Sequence, residues 1–454
     1  MCSSRNDDQF SAFHDGLSHH VKEFRTRLWR ESEGCISERY TPGKGIQVAS
    51  SLCQIRDDVL CDLWRAHVLS QRAIALEAEE DFFAVMALGG YGRGLVSLHS
   101  DVDLLIVTTR REPSWWQRLV ASYFRDIYDL GLKLGFLQAK PRDALRMVLT
   151  DPHFCTAVLS ARFLWGHQGV FDAFHKALRD RLRRNLKKVF TSITTARREE
   201  RERFGNTVFL LQPNIKRSPG GLRDIQFIDW IRFLWELGES VLTFPVAEIL
   251  LPEESDAIRD AEDFLLQIRH TLHHSANRAE DVFSRFDQWR LAESWQYEAT
   301  ASLLPVEVLM REYFRRTEQV VAVATRLEQA LERQLFQPKG IRARREDHGL
   351  VEIKGRLWLT ESGQEAITRG WTGLFDLFEL SQKVDRPLDA SVWIEIWKLR
   401  GVFTSLPDAE IRMRFLRLLQ SPRQTANLIR GMHRIRLLER FLPDMEHARG
   451  LLQF

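Results

Sequence analysis

Two short apolar runs, "FFAVMAL" (82–88) and "DLLIV" (103–107), flank the stretch "GGYGRGLVSLHSDV". Runs of that length, bounded by glycines and polar turns, are strands rather than helices. They force a small sheet into a chain whose remaining pattern is mostly helical, so the expected fold class is α+β. The punctuation between the runs is equally restrictive. Glycines follow the first run, and Asp101 and Asp103 lead into the second. Residues two apart on a strand point to the same face, so the two carboxylates are expected to converge.

Three chemistries use glycines in this way. A dinucleotide fingerprint needs GxGxxG opening a helix, but Leu95 stands where the third glycine belongs and a strand is expected to follow. A phosphate loop of the GxxxxGK[ST] type is absent. The third is metal-dependent nucleotidyl transfer, in which paired carboxylates hold Mg²⁺ for in-line displacement at phosphorus. Gly89 and Gly90 then let backbone N–H groups approach a triphosphate, Ser100 adds a hydroxyl donor and Arg93 a charged one. The plain alternative is a tight turn followed by two surface aspartates.

With 454 residues, two to four domains are expected. Residues 1 to about 80 have helical spacing, as in "DDVLCDLWRAHVLSQRAIALEAEEDF". After the two strands, "SWWQRLVASYFRDIYDLGL" (114–132) is helical and "KLGFLQ" (133–138) is a further strand candidate. From about 141 to 335 the period is helical throughout, except for the loop "LLQPNIKRSPGGLRD" (210–224), where Pro213, Pro219, Gly220 and Gly221 forbid a continuous helix. "QPKG" (337–340) reads as a boundary, "GLVEIKGRLWLT" (349–360) alternates like strand, and helices resume. The expected organisation is therefore an N-terminal helical region (1–80), a sheet-bearing domain (81–170), a helical domain (171–336) and a mainly helical region (341–454). The final "ARGLLQF" is apolar and reads as cut rather than finished.

Net charge is +3, from 65 basic and 62 acidic residues, which argues against a general polyanion binder and so against nucleic acid as partner. The five cysteines (Cys2, Cys35, Cys53, Cys61, Cys155) form no CxxC pair and read as reduced thiols. "MCSSRNDDQFSAFHDG" holds no apolar signal core, and no run approaches the roughly 18 apolar residues of a membrane helix, so the expected location is cytoplasmic and no membrane partner is expected. His270, His273 and His274 share helical spacing but lack a third ligand and read as core or surface histidines rather than a zinc site. "HKALRDRLRRNLKKVF" (175–190) reads as one basic amphipathic helix with a solvated face, while Trp230, Phe233 and Trp235 read as core.

The motif "GGYGRG…SDVDLLIV" resembles the nucleotidyltransferase motif of the bacterial PII uridylyltransferases, the bifunctional uridylyltransferase/uridylyl-removing family. "LLQPNIKRSPGGLRDIQFIDWI" (210–231) is similar to that family's hallmark loop. "IRHTLHHSANRAEDVFSRFDQWRLA" (268–292), "VEVLMREYFRRTEQV" (306–320) and "RGMHRIRLLERFLPDMEHARGLLQF" (430–454) fit in order. The resemblance runs from about residue 50 to the end. It implies a polymerase-β-like nucleotidyltransferase domain, a small mixed sheet with helices, followed by mostly helical domains. It also implies transfer of UMP from UTP to a tyrosine of the signalling protein PII, with Asp101 and Asp103 on Mg²⁺ and Gly89, Gly90 and Ser100 at the triphosphate.

In the loop, the resemblance favours Lys216 and Arg223 as cations at the nucleotide and leaves Arg217 on the surface. The family's phosphohydrolase and glutamine-sensing domains have no counterpart in these 454 residues, so the removing activity is not expected here. The chain departs from the pattern at Leu95 and Gln212, where glutamate is usual, and at "GFLQAKP" (135–141). That strand offers Lys133 and Phe136 where a third carboxylate would help, and Asp129 and Asp224 are the nearest family-matching acids. Two rivals stand beside this reading: an adenylyltransferase-like specificity, and a catalytically impaired module that still binds PII.

Overall fold

The computed structural model describes residues 21–37, 43–72, 82–113, 115–238, 252–336, 346–347, 349–353 and 355–443. The termini, the junction at 337–340 and the tail "ARGLLQF" lie outside them. The chain falls into two compact units, divided between Val321 and Ala322.

In the first unit, helices α1 (21–36) and α2 (Gly45–Arg72) precede strand β1 (Phe83–Ala87). A single turn, α3 (Gly89–Gly92), leads to β2 (Val102–Thr108), α4 (Trp116–Asp129) and β3 (Leu134–Ala139). Two short helices, α5 (Pro141–Met147) and α6 (Pro152–Leu159), then lead into β4 (Arg162–Gly166). The sheet order is β3-β2-β1-β4. β1 runs antiparallel to β2 and β4, and β2 runs parallel to β3, which makes the sheet mixed as expected.

All five residues of β1 are buried, as befits a central strand covered on both faces. Trp64 of α2 anchors the cover: its ring meets Tyr123 of α4 edge-on at 5.1 Å and lies 5.6 Å from Phe83. Aromatic packing of that kind adds about 0.5–1.5 kcal/mol per pair beyond area burial.

Helices α7 (Gln168–Arg184), α8 (Leu186–Arg203), α9 (Leu222–Gly238), α10 (Pro252–Ala276), α11 (Arg285–Ser294) and the part of α12 (Pro305–Phe336) up to Val321 complete the helical part. α7 packs on β1, and α10 packs on α2. Among the described residues no helix is long and apolar enough to cross a membrane.

Four local expectations are corrected. Residues 162–166 are a strand, although the period from 141 onward reads as helix; a five-residue run beginning with arginine is too short for periodicity to separate the two. The glycines are followed by a helical turn before the strand, where a direct strand is expected. The basic stretch 175–190 is not one helix, because Asn185 (φ −121°) separates α7 from α8. Trp230 and Trp235 are core, whereas Phe233 is half-buried under the Arg179 guanidinium. Cys35, Cys53, Cys61 and Cys155 form no disulfide.

The second unit contains a small antiparallel sheet, β5 (Glu346–Asp347), β6 (Leu350–Ile353) and β7 (Arg356–Leu359), in agreement with the alternation read at 349–360. Helices follow it, around a core that includes Leu374, Phe375, Phe378, Trp393 and Phe415.

Candidate functional site

The carboxylate pair is shaped by glycines on both sides. Leu88 N–H donates to the Asp103 carbonyl at 2.9 Å, so the chain leaves β1 beside the start of β2. Gly89 adopts φ +56°, a left-handed conformation that disfavours any other residue. A Cβ there would meet Asp103 Oδ2 at 3.4 Å. Gly92 is required for packing, since a Cβ would stand 2.2 Å from the Ser160 carbonyl oxygen. On the other side, the β2–β3 register sets Gly135 opposite Asp103.

Asp103 thus occupies a notch between two glycines, half-buried, with Asp101 exposed beside it. Burial and then the Asp101 charge push the Asp103 carboxyl above the usual aspartate range, against the pull of Lys216, Lys133 and Arg223. Lys133 Nζ lies 3.5 Å from Asp101 Oδ1, but its side chain is 81% exposed, so the contact is weak and easily displaced.

The second element is the loop before α9. Asn214 Oδ1 accepts from the N–H groups of Lys216 (3.1 Å) and Arg217 (2.8 Å), a side-chain turn that also ties back through Asn214 N–H to Ser218 Oγ. Gly221 closes it, because a Cβ would lie 2.5 Å from the Ile215 carbonyl oxygen. Burial and the neighbouring Arg269 and Arg223 charges lower the Lys216 ammonium to about 8. Arg223 is lowered chiefly by burial; it bonds Gln226 at 2.9 Å and stacks 5.8 Å from the Trp230 ring. Arg217 is exposed, as expected. The loop therefore holds two desolvated cations, Lys216 beside the Asp281 charge and Arg223 at 3.7 Å from Glu200.

Ser100 joins the two. Its Oγ accepts from Ser97 N–H at 2.9 Å and from Arg269 Nη1 at 3.1 Å, which leaves its own hydrogen to donate. The fully buried Arg56 bonds the carbonyls of Ser97, Leu98 and Ser100 at 2.7–3.2 Å.

Other candidates lie elsewhere. Arg93 bonds both Asp229 of α9 and Glu262 of α10, so its charge ties the glycine turn to the helices. Asp224 is completely buried: Arg197 Nε at 2.8 Å, Arg201 Nη2 at 2.6 Å and Gly220 N–H at 2.8 Å converge on it. Asp129 sits exposed at the end of α4. His270 donates from Nε2 to the Gly45 carbonyl at 2.9 Å, and His274 faces Glu33 at 3.5 Å.

Among the described residues no group of three or more His, Cys, Asp and Glu could hold a metal ion. Asp101 and Asp103 alone fit the sparse carboxylate ligation of Mg²⁺, whose other ligands are substrate phosphates and water.

Sequence reasoning missed Arg56, Gly135, Arg269 and Asp281, whose carboxylate accepts from Arg269 Nε at 2.7 Å, as parts of the site. Arg269 and Asp281 lie in the stretch 268–292 that carries the family resemblance, so a signal existed without a role attached to it. Gly135 opens the stretch 135–141 already marked as a departure, without a role attached to it, and Arg56 had no signal, because only tertiary packing brings it to the carbonyls of 97–100.

Residues 188–328 match the family described as GlnD PII-uridylyltransferase, a segment that includes Lys216, Arg223, Arg269 and Asp281. Over a longer span the chain is similar to enzymes named bifunctional uridylyltransferase/uridylyl-removing enzyme. That of Ruegeria pomeroyi is 29% identical over 401 residues, covering 84% of this chain and 43% of the relative. Those of Burkholderia mallei (29% over 411 residues, 89% and 46%) and Burkholderia vietnamiensis (30% over 382 residues, 82% and 43%) are alike. The chain spans less than half the length of these curated relatives.

Proposed function

We propose that this chain transfers UMP from UTP to a tyrosine of a PII signalling protein, releasing pyrophosphate in an Mg²⁺-dependent reaction. The observation that supports the reading is the carboxylate pair at the start of β2, with Asp103 set between Gly89 and Gly135. Phosphoryl chemistry asks little covalent work of a protein; positioning and charge neutralisation supply most of the rate. Lys216 and Arg223 bind the triphosphate, the Ser100 hydroxyl donates to it, and Gly89 and Gly90 allow the backbone to approach. A divalent ion held by Asp101 and Asp103 supplies Lewis-acid charge at the reacting phosphate. The phenolic oxygen attacks the α-phosphorus, the bond from that phosphorus to the β-phosphate oxygen breaks, and the phenol proton passes to water.

The test is transfer from each labelled nucleoside triphosphate to PII with Mg²⁺, by the purified chain and by Asp101→Asn/Asp103→Asn. UMP transfer that vanishes in the double variant supports the reading. Transfer of AMP instead would mark an adenylyltransferase-like specificity. The absence of a carboxylate on β3 beside the pair favours one further reading, an impaired module, which would bind PII and transfer nothing.

A further inference from the structure

Asp281, between α10 and α11, is used in two directions. Its carboxylate accepts Arg269 Nε at 2.7 Å and faces His273 Nε2 at 3.4 Å. Arg269 continues through Nη1 to Ser100 Oγ at 3.1 Å. His273 Nδ1 accepts the backbone N–H of His99 at 3.2 Å, so its proton sits on Nε2 and is donated to Asp281. These bonds close a circuit that leaves the chain at His99 and re-enters it at Ser100, next to Asp101. The Asp281 backbone carbonyl meanwhile accepts from Ile215 N–H at 2.7 Å, beside Lys216, and the adjacent Val282 bridges Asn214.

We propose that Asp281 is a positioning residue that sets the loop carrying Ser100 and Asp101 in register with the loop carrying Lys216. The proposal rests on the nucleotidyl-transfer reading, since these loops flank the reacting phosphates. Each link has a chemical reason. Arg269 is 7% exposed, and a buried guanidinium needs a counter-charge, which Asp281 supplies. Only a planar guanidinium can serve Asp281 and Ser100 from two different nitrogens. His273 is fully buried and pushed down to about 4, so it stays neutral with one donor and one acceptor, as the circuit requires. Burial would raise the Asp281 carboxyl, but His273, Arg269 and Lys216 hold it well below the usual range, so it remains an anion.

Two variants of the full chain test this. Asp281→Asn keeps the shape and withdraws the charge; Arg269→Lys keeps the charge and cannot span both partners. Amide hydrogen exchange is followed across residues 96–103, and UMP transfer to PII from UTP with Mg²⁺ is measured beside it. Both variants are expected to exchange faster at His99 to Asp101 and to lose about 10- to 100-fold in kcat, with KM for UTP little changed. Unaltered exchange in both, or a loss confined to KM, overturns the proposal. Should Asp281→Asn fail to fold, Arg269→Lys decides alone. If the wild-type chain transfers no nucleotide, the functional reading falls and the exchange data still judge the circuit.

Discussion

A Cβ built on Gly135 would stand 2.5 Å from Asp103 Oδ1, because the parallel pairing of β2 with β3 sets these two residues side by side. The strand that lacks a third carboxylate thus has a steric duty toward the second. The conflicting atom is the end of a side chain, so Gly135→Ala should fold normally while swinging the carboxylate aside. A displacement of about 1 Å is expected to lower UMP transfer roughly 100-fold. Steady-state rates beside melting curves check this; a wild-type rate would show that the carboxylate position is not used.

Asp224 is predicted to act on stability. It is held below its ordinary range: burial works against the anion, but Arg197 and Arg201 outweigh it. Asp224→Asn leaves the buried Arg197 with Glu200 at 2.8 Å as its remaining counter-charge and is expected to cost about 3–5 kcal/mol at neutral pH. The sign with pH follows from a depressed folded value. The stabilisation is present above the unfolded value of roughly 3.9 and is lost as pH falls through the lower folded one. Denaturant unfolding at several pH values should show the two proteins converging in acid.

Arg93 separates a tie from a ligand. Bonded to Asp229 and Glu262, it is expected to lower stability on the order of 3 kcal/mol when changed to alanine. Calorimetric UTP binding by the folded fraction should change little. A large loss of UTP affinity with unchanged melting would instead place the guanidinium at the nucleotide.

His270 predicts a pH slope. Complete burial lowers it to about 3, so the unfolded chain takes up its proton first, near the ordinary value of about 6.5. Stability is therefore full above that value and declines as pH falls toward 3. Replacing His270 with Gln should remove about one proton from the dependence of unfolding free energy on pH. An identical slope in both proteins would rule this out.

Much of the sheet and the identity of the paired carboxylates were legible in the sequence, because their signals are local. Apolar runs bounded by glycine specify strands, and alternation puts Asp101 and Asp103 on one face whatever the rest of the chain does. The prolines and glycines of 213–221 likewise mark the second loop. β4 was not legible, since five residues carry no period of their own and become strand through pairing with β1. The roles of Arg93 and Asp224 were also hidden. A charged side chain looks the same in sequence whether it awaits a substrate or a buried partner, and only the packing of α8, α9 and α10 supplied those partners. The same holds for Asp281 and Gly135. Residue type and spacing determined which chemistry this chain can attempt. Long-range contacts between distant segments, 174 positions apart at His99 and His273, decided which groups are held in place to attempt it.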